Sequence, residues 1–191
     1  MNGNATAFET PTLREDQLKL ALWMFLATVT MLFAAFTSAY VVRRSGSDWR
    51  PVALPAGLWV NSSVLALSSI AVEFARGEGA RGRWRVSSTA MLIACALGVL
   101  FLGGQLFAWR QMVAAGVYLP TNPHSAFFFM MTGAHAVHVV AALVVLAWGA
   151  SVTMRASREP RGWTARMSLC RTFWHYLGAV WVFLFALVSL Y

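Results

Sequence analysis

HSAFFFMMTGAHAVHVVAALVVLAW, residues 124–148, is the stretch from which the rest of the chain is read. It contains no Lys, Arg, Asp or Glu, and no charged residue occurs between Arg110 and Arg155. Pro120 and Pro123 interrupt the backbone just before it. The run that follows reaches the roughly 20 apolar residues a membrane helix needs. Within it His135 and His138 stand three apart, so their rings fall on one side of a helix, and the same side continues through Ala142, Val145 and Gly149. Small and polar residues in a stripe mark the side of a membrane helix that meets other helices.

Composition extends this reading to the whole chain. Of 191 residues, 59% are hydrophobic and 12% charged, about half the charged share of a soluble domain. The apolar residues come in blocks, which predicts an all-α, polytopic membrane protein forming one bundle. The excess of 15 Lys and Arg over 7 Asp and Glu does not indicate nucleic acid, because the basic residues lie between apolar blocks, where topology signals lie. Cys95 and Cys170 fall in different blocks and make neither a disulfide framework nor a metal motif.

In chain order, residues 1–15 read as a mobile leader, and a single membrane domain, 16–191, carries five spans at about 16–42, 55–73, 86–109, 125–152 and 172–191. Polar connections are expected from Arg76 to Arg85 and from Arg155 to Arg171. Small stripes recur: Ala27, Thr30, Ala34 and Ser38 in the first span, Ser62, Ala66, Ser69 and Glu73 in the second, Ala94, Gly98, Gln105 and Trp109 in the third. Five spans put the termini on opposite sides. Eleven basic residues (Arg14, Lys19, Arg76, Arg81, Arg83, Arg85, Arg155, Arg158, Arg161, Arg166, Arg171) share one side, against four (Arg43, Arg44, Arg50, Arg110) on the other. The positive-inside rule then puts the N-terminus in the cytoplasm and the C-terminus outside.

Few residues could carry chemistry. His135 and His138 would need a third metal ligand from a facing helix, for which His175 and Glu73 are the candidates. The alternative is that the histidines hydrogen-bond to neighbouring helices or to a lipid. Glu73 could serve a proton path or pair with Arg76 at the interface. Asn61 and Gln105 read as interhelical hydrogen bonds worth about 0.6–2 kcal/mol each. Trp109, Trp163, Trp174 and Tyr191 read as aromatic belts, and Phe127 to Phe129 as lipid-facing or packing surface. The basic loops could also attract anionic lipid at roughly 1 kcal/mol per residue. No CxxCH, phosphate loop or buried acidic pair is present in the sequence. Catalytic and metal roles are therefore expected to be none, which leaves a non-catalytic membrane subunit or a small carrier.

Ser125 to Leu143, SAFFFMMTGAHAVHVVAAL, resembles the signature helix of subunit III of the haem–copper terminal oxidases: a Phe-rich entry, then Thr132, Gly133, His135 and His138. Four further segments are similar in the family's order. LWMFLATVTMLFAAFTSAY matches its first helix. VNSSVLALSSIAVEFA carries Asn61, Ser68, Ser69 and Glu73. GQLFAWRQMVAAG carries Gln105, Trp109 and Gly116. FWHYLGAVWVFLF carries Trp174, His175 and Trp181. There are two departures. Many members have an acidic residue where this chain has Val29, and an Asp where it has Gly178. The chain also lacks the extra N-terminal helix pair of long forms, which points to the short five-helix bacterial form. The resemblance implies a non-redox subunit of a cytochrome c oxidase in the aerobic respiratory chain of a bacterial inner membrane. Such a subunit packs on subunit I, with subunit II and, as a further candidate, subunit IV in the complex. It binds no haem or copper itself, holds phospholipid in a cleft between its first two helices and the rest, and supports proton uptake and turnover stability. Asn61, Glu73, Gln105, Trp109, Thr132, Gly133, His135, His138, Trp174 and His175 are its expected packing or lipid-contact residues. Rival readings are the subunit III-like accessory protein of nitric oxide reductase systems, a quinol oxidase subunit III, and a small transporter.

Overall fold

The computed structural model describes residues 11–50, 54–119, 122–156 and 162–190. These form five α-helices: α1 (Pro11–Arg43), α2 (Gly57–Ala80), α3 (Trp84–Ala114), α4 (Pro123–Ala156) and α5 (Trp163–Leu190). All five are long and apolar enough to cross a membrane, so the chain is a multi-pass membrane protein.

The ends of the helices differ from the sequence reading, and the reasons are local. α2 runs past Glu73 through Arg76, Gly77 and Glu78 to Ala80, so most of the expected loop is helix. Its stop is Gly82, whose φ of 73° admits a left-handed turn that other residues resist. Arg83 N–H then donates to Glu78 O and Gly82 N–H to Gly79 O, both at 3.0 Å. That pair of bonds satisfies the last carbonyls of the helix and reverses the chain within three residues. Gly116, with φ 78°, ends α3 by the same device. α4 begins at Pro123 because proline is tolerated at a first helical position, where its missing N–H is not needed. Asn122 Oδ1 accepts from Ser125 N–H at 3.1 Å, and Ser125 Oγ accepts from Asn122 N–H at 3.3 Å, so the two residues cap each other. α5 begins at Trp163, nine residues before the expected Thr172. The leader reading is shortened as well: Pro11 to Glu15 are helical, and residues 1–10 lie outside the described residues.

α2, α3, α4 and α5 form a closed ring of antiparallel neighbours, and α1 packs outside it against α4 and α5. The α2–α3 contact is the most extensive. The three-residue connection forces it, and Ser68 Oγ donating to Ala94 O (2.9 Å) and Ser87 Oγ donating to Ala75 O (2.6 Å) fasten it. α2 therefore belongs with α3. The division expected between the first two helices and the rest is not there; α1 alone stands apart. Its small stripe Ala27, Thr30, Ala34 and Ser38 is exposed, while Leu26, Val29, Phe33 and Tyr40 make its contact. Large side chains win there because α1 fills the outer groove between two helices already in contact.

At one end of the ring, Trp163 ties three helices together. Its Nε1–H donates to Thr153 Oγ1 at 3.0 Å, its ring meets Trp84 edge-on at 5.3 Å, and it occupies the space beside Gly79 that a Cβ would fill. Trp174 is likewise buried, against Gly98. The belt reading of these two tryptophans is thus corrected. They are core residues, because Gly79 and Gly98 open pockets for them. Tyr191 lies outside the described residues.

Candidate functional site

The polar residues of the spans sort into an interior level and an outer seam. The interior level is built on His135, which α4 turns into the ring and which is 1% exposed. Its imidazole lies 5.4 Å from the Trp181 ring at a 31° tilt, with Phe101 at 6.4 Å and Phe33 at 6.3 Å. Trp181 commits its N–H to Ser62 Oγ at 3.0 Å, which links α5 to α2 at this level. His138 points elsewhere. Its Nδ1–H donates to Ala134 O, one turn back in its own helix, at 2.7 Å, and its ring meets Phe33 and Phe25 of α1 at 5.8 and 6.3 Å. Three residues is one-sixth short of a full turn, which is enough for one histidine to face the ring and the other to face α1. The two rings share Phe33 as a neighbour but have no hydrogen-bond partner in common.

Thr132 and Trp109 join α4 to α3. Trp109 Nε1–H donates to Thr132 Oγ1 at 3.1 Å, and that hydroxyl donates to Phe128 O at 2.6 Å. Phe128 is buried, with Phe127 and Phe129 half-buried, so the Phe run packs inward. Gly133 is less crowded than a close-packing glycine: a Cβ there would meet only Trp109, at 3.8 Å. Asn61 fits against Gly104, where a Cβ would collide with it. The expectation of interhelical hydrogen bonds fails for Gln105. It is buried, and neither amide atom has a hydrogen-bond partner. Asn61 Nδ2 and both His135 ring nitrogens share that condition. The side chains filling this level are Phe101 and Trp181, one without polar atoms and the other with its N–H already used.

The outer seam lies between α2 and α5. Glu73 accepts from Arg171 Nε–H through Oε1, the same oxygen lies 3.0 Å from His175 Nε2, and Arg76 stands 4.0 Å from Oε2. The Arg76 pairing is thus present but is the longest of three. Sequence reading missed Arg171 because it placed that residue in a loop. Gly178 occupies the position where the resemblance places an acid in the closing helix, and the carboxylate against His175 comes instead from Glu73 on another helix. Val29, at the other departure, is buried among apolar neighbours.

A second ionic group was not foreseen. Glu78, 3% exposed, accepts from Arg81 Nη1–H at 2.9 Å and from Arg83 Nη2–H at 2.7 Å, closing the α2–α3 turn. Gly82 was the signal available for it, since a glycine just past a helix end places Glu78 in the last turn rather than in a loop. At the end of α1, Arg43 holds Asp48, which lies beyond the span, through two bonds at 2.7 and 2.5 Å. The hydrogen bonds from Arg43 keep the Asp48 carboxyl below its ordinary titration range. Among the described residues, no three His, Cys, Asp or Glu side chains gather as a metal cage.

The helices and these contacts define a five-helix integral membrane protein whose polar residues sit at helix contacts. The chain matches the family model of cytochrome c oxidase subunit III over residues 2–191, and it belongs to that family. It is 27% identical to cytochrome c oxidase subunit 3 of Thermostichus vulcanus, covering 97% of this chain and 93% of that protein. It is 28% identical to cytochrome bo(3) ubiquinol oxidase subunit 3 of Pseudomonas putida (90% and 84%). It is 26% identical to a probable quinol oxidase subunit 3 of Staphylococcus saprophyticus (89% and 87%). Membership in this haem–copper oxidase family implies association with other oxidase subunits.

Proposed function

We propose that this chain is the third, non-redox subunit of a cytochrome c oxidase in a bacterial plasma membrane. It packs directly on the haem-bearing subunit I and leaves haem and copper to subunits I and II. The match to the subunit III family along essentially the whole chain carries this reading. The use of His135, Thr132 and Trp109 as helix-contact residues is consistent with a supporting role. The N-terminal end of α1, the α2–α3 turn and the α4–α5 connection, which together with the adjoining helix ends carry eleven of the fifteen basic residues, face the cytoplasm. The chain holds phospholipid and supports proton uptake and durability during turnover. A groove of about 610 Å³ between α2 and α3, lined by Leu67, Ile70, Phe74, Val86 and Ile93 with Arg85 at its basic end, suits an acyl chain under an anionic headgroup.

A quinol oxidase is the second reading, favoured by relatives of equal similarity that bear that name. Affinity purification of the tagged chain from gently solubilised native membranes separates the two. Recovery with a haem-bearing and a copper-bearing subunit, and oxygen uptake from reduced cytochrome c, supports the first. Uptake from a quinol alone supports the second. Recovery with a nitric oxide reductase, or as a solute-transporting homo-oligomer, overturns both.

A further inference from the structure

We infer that the α2–α5 seam is the surface that receives a transmembrane helix of a neighbouring oxidase subunit, and that this helix presents a carboxylate to Arg171. The inference rests on the oxidase-subunit reading and adds the face, the kind of partner and the recognising charge.

Three observations converge on the seam. The first is exposure of charge inside spans. The side chains of Glu73, His175 and Arg171 remain 37%, 36% and 41% exposed although they bond to one another. Glu73 lies seven residues before the end of α2. Arg171 and His175 lie eight and twelve residues into α5, or about 12 and 18 Å along it at 1.5 Å per residue. Ionisable groups at such positions normally face protein rather than lipid. The second is charge imbalance. Two guanidinium groups, Arg171 and Arg76, attend one carboxylate, and Arg171 reaches it through Nε alone. The rest of the Arg171 fork points to an acceptor of opposite charge, and a carboxylate fits its geometry best. The third is steric. Beside the ionic group the seam is lined by Ser69 and the exposed Ala66 of α2, and by Gly178 and the exposed Ala179 of α5. A Cβ on Gly178 would meet only Ser69 Oγ, at 3.9 Å, so the glycine is not needed for packing inside this chain. Small residues left unused on a membrane helix permit close approach by another helix.

A lipid phosphate could meet Arg171. It would not reach the imidazole one turn further along α5, and an acyl chain gains nothing from the small residues beyond it. The observations therefore favour a protein helix.

The test uses the full chain in native membranes with the other oxidase subunits present. p-Benzoylphenylalanine is placed at Ala66 or Ala179 in the seam, and at Val99 of α3 or Val144 of α4 as exposed controls. After irradiation, the seam positions are expected to capture the haem-bearing subunit at least tenfold more than the controls. Arg171→Gln should reduce that capture about tenfold while the amount of chain in the membrane stays unchanged. Capture by the control positions only, or lipid adducts alone at Ala66 and Ala179, overturns the inference. Co-purification of the tagged chain from the same membranes reads the underlying function separately. An intact haem complex with a silent seam sinks the inference alone. A seam that captures a membrane protein unrelated to oxidases, with no haem subunit recovered, sinks the oxidase reading together with the partner named here.

Discussion

The α2–α3 hairpin and α1 solve the same problem in opposite ways. Both must hold long apolar helices against neighbours in a medium that gives no hydrophobic drive for helix association. The hairpin does so with small and polar devices: serine hydroxyls reaching across to carbonyls, Gly104 beside Asn61, and a buried carboxylate closing the turn. α1 has none of that density. Only 17% of its most apolar stretch is buried, against 33% in each of the other four helices. It is held by Leu26, Val29, Phe33 and Tyr40, and by one hydroxyl pair, Thr30 with Tyr176, at 2.7 Å. The ring of α2 to α5 is therefore the stable body, and α1 is attached to it.

The largest effect should come from the hairpin turn. Glu78 is nearly fully buried while its partners Arg81 and Arg83 are more than half exposed. Replacing both arginines with alanine strands a carboxylate and is expected to cost about 3 kcal/mol. Removing the carboxylate frees two cations that can simply turn to water, so Glu78→Gln should cost much less. The thermal midpoint of the purified protein in detergent checks the asymmetry. The double variant should fall furthest, and adding Glu78→Gln to it should recover part of the loss. Equal losses from either side would mean the turn does not depend on the buried charge.

The next effect belongs to the ring interior and separates two glycines that look alike in sequence. A Cβ at Gly98 would lie 2.6 Å from both Leu143 and the Trp174 ring, whereas at Gly133 the nearest atom would be 3.8 Å away. Gly98→Ala should therefore destabilise by about 1–3 kcal/mol through overpacking against a rigid indole. Gly133→Ala should leave the thermal midpoint nearly unchanged. A reversed order would mean that the tight approach lies at Gly133 against Trp109 rather than at Gly98 against Leu143 and Trp174.

This pair also shows what could be read from the residues alone. The apolar blocks announced five helices, because each is a continuous apolar run long enough to span lipid as a helix with its backbone bonds made within the segment. The faces carrying Ala94, Gly98 and Gln105, or Ala142 and Gly149, were visible as small stripes and are buried as expected. The stripe of α1 was equally visible and is exposed. A stripe reports that some helix can approach; whether that helix lies in the same chain is not encoded in its spacing. Helix ends at Arg76 to Arg85 and Arg155 to Arg171 were misread for a related reason. Charge and glycine signal the membrane surface, yet a helix can continue through that surface until a residue such as Gly82 turns it. Glu78, Arg171 and the diverging directions of His135 and His138 all depended on that detail.

A smaller effect sharpens the contrast from the side of α1. Tyr176→Phe removes the hydroxyl that meets Thr30 Oγ1 and donates to Leu26 O at 3.2 Å. Interhelical hydrogen bonds in membranes average about 0.6 kcal/mol, too little to unfold the ring but enough to loosen a helix with few other ties. Hydrogen–deuterium exchange in detergent should rise in α1 and stay unchanged in α2 and α3. A uniform rise would show that α1 and the ring unfold as one unit.

The smallest effect concerns the connection after α1. The hydrogen bonds from Arg43 lower the titration of the Asp48 carboxyl below the ordinary 3.8. A carboxyl that is more acidic in the folded state stabilises that state at pH values above its unfolded titration, and the contribution disappears as pH falls through the lower, folded value. Both side chains face solvent, so the gain is local and screened by salt. Carbon-13 NMR of the Asp48 carboxyl should show a midpoint below 3.8 in low salt. The midpoint should move back towards 3.8 in Arg43→Gln or in high salt, with no change in the thermal midpoint of the ring. A midpoint that stays at 3.8 in the unaltered protein would mean that the two bonds to Arg43 do not persist in solution, and α1 would then end without this clasp.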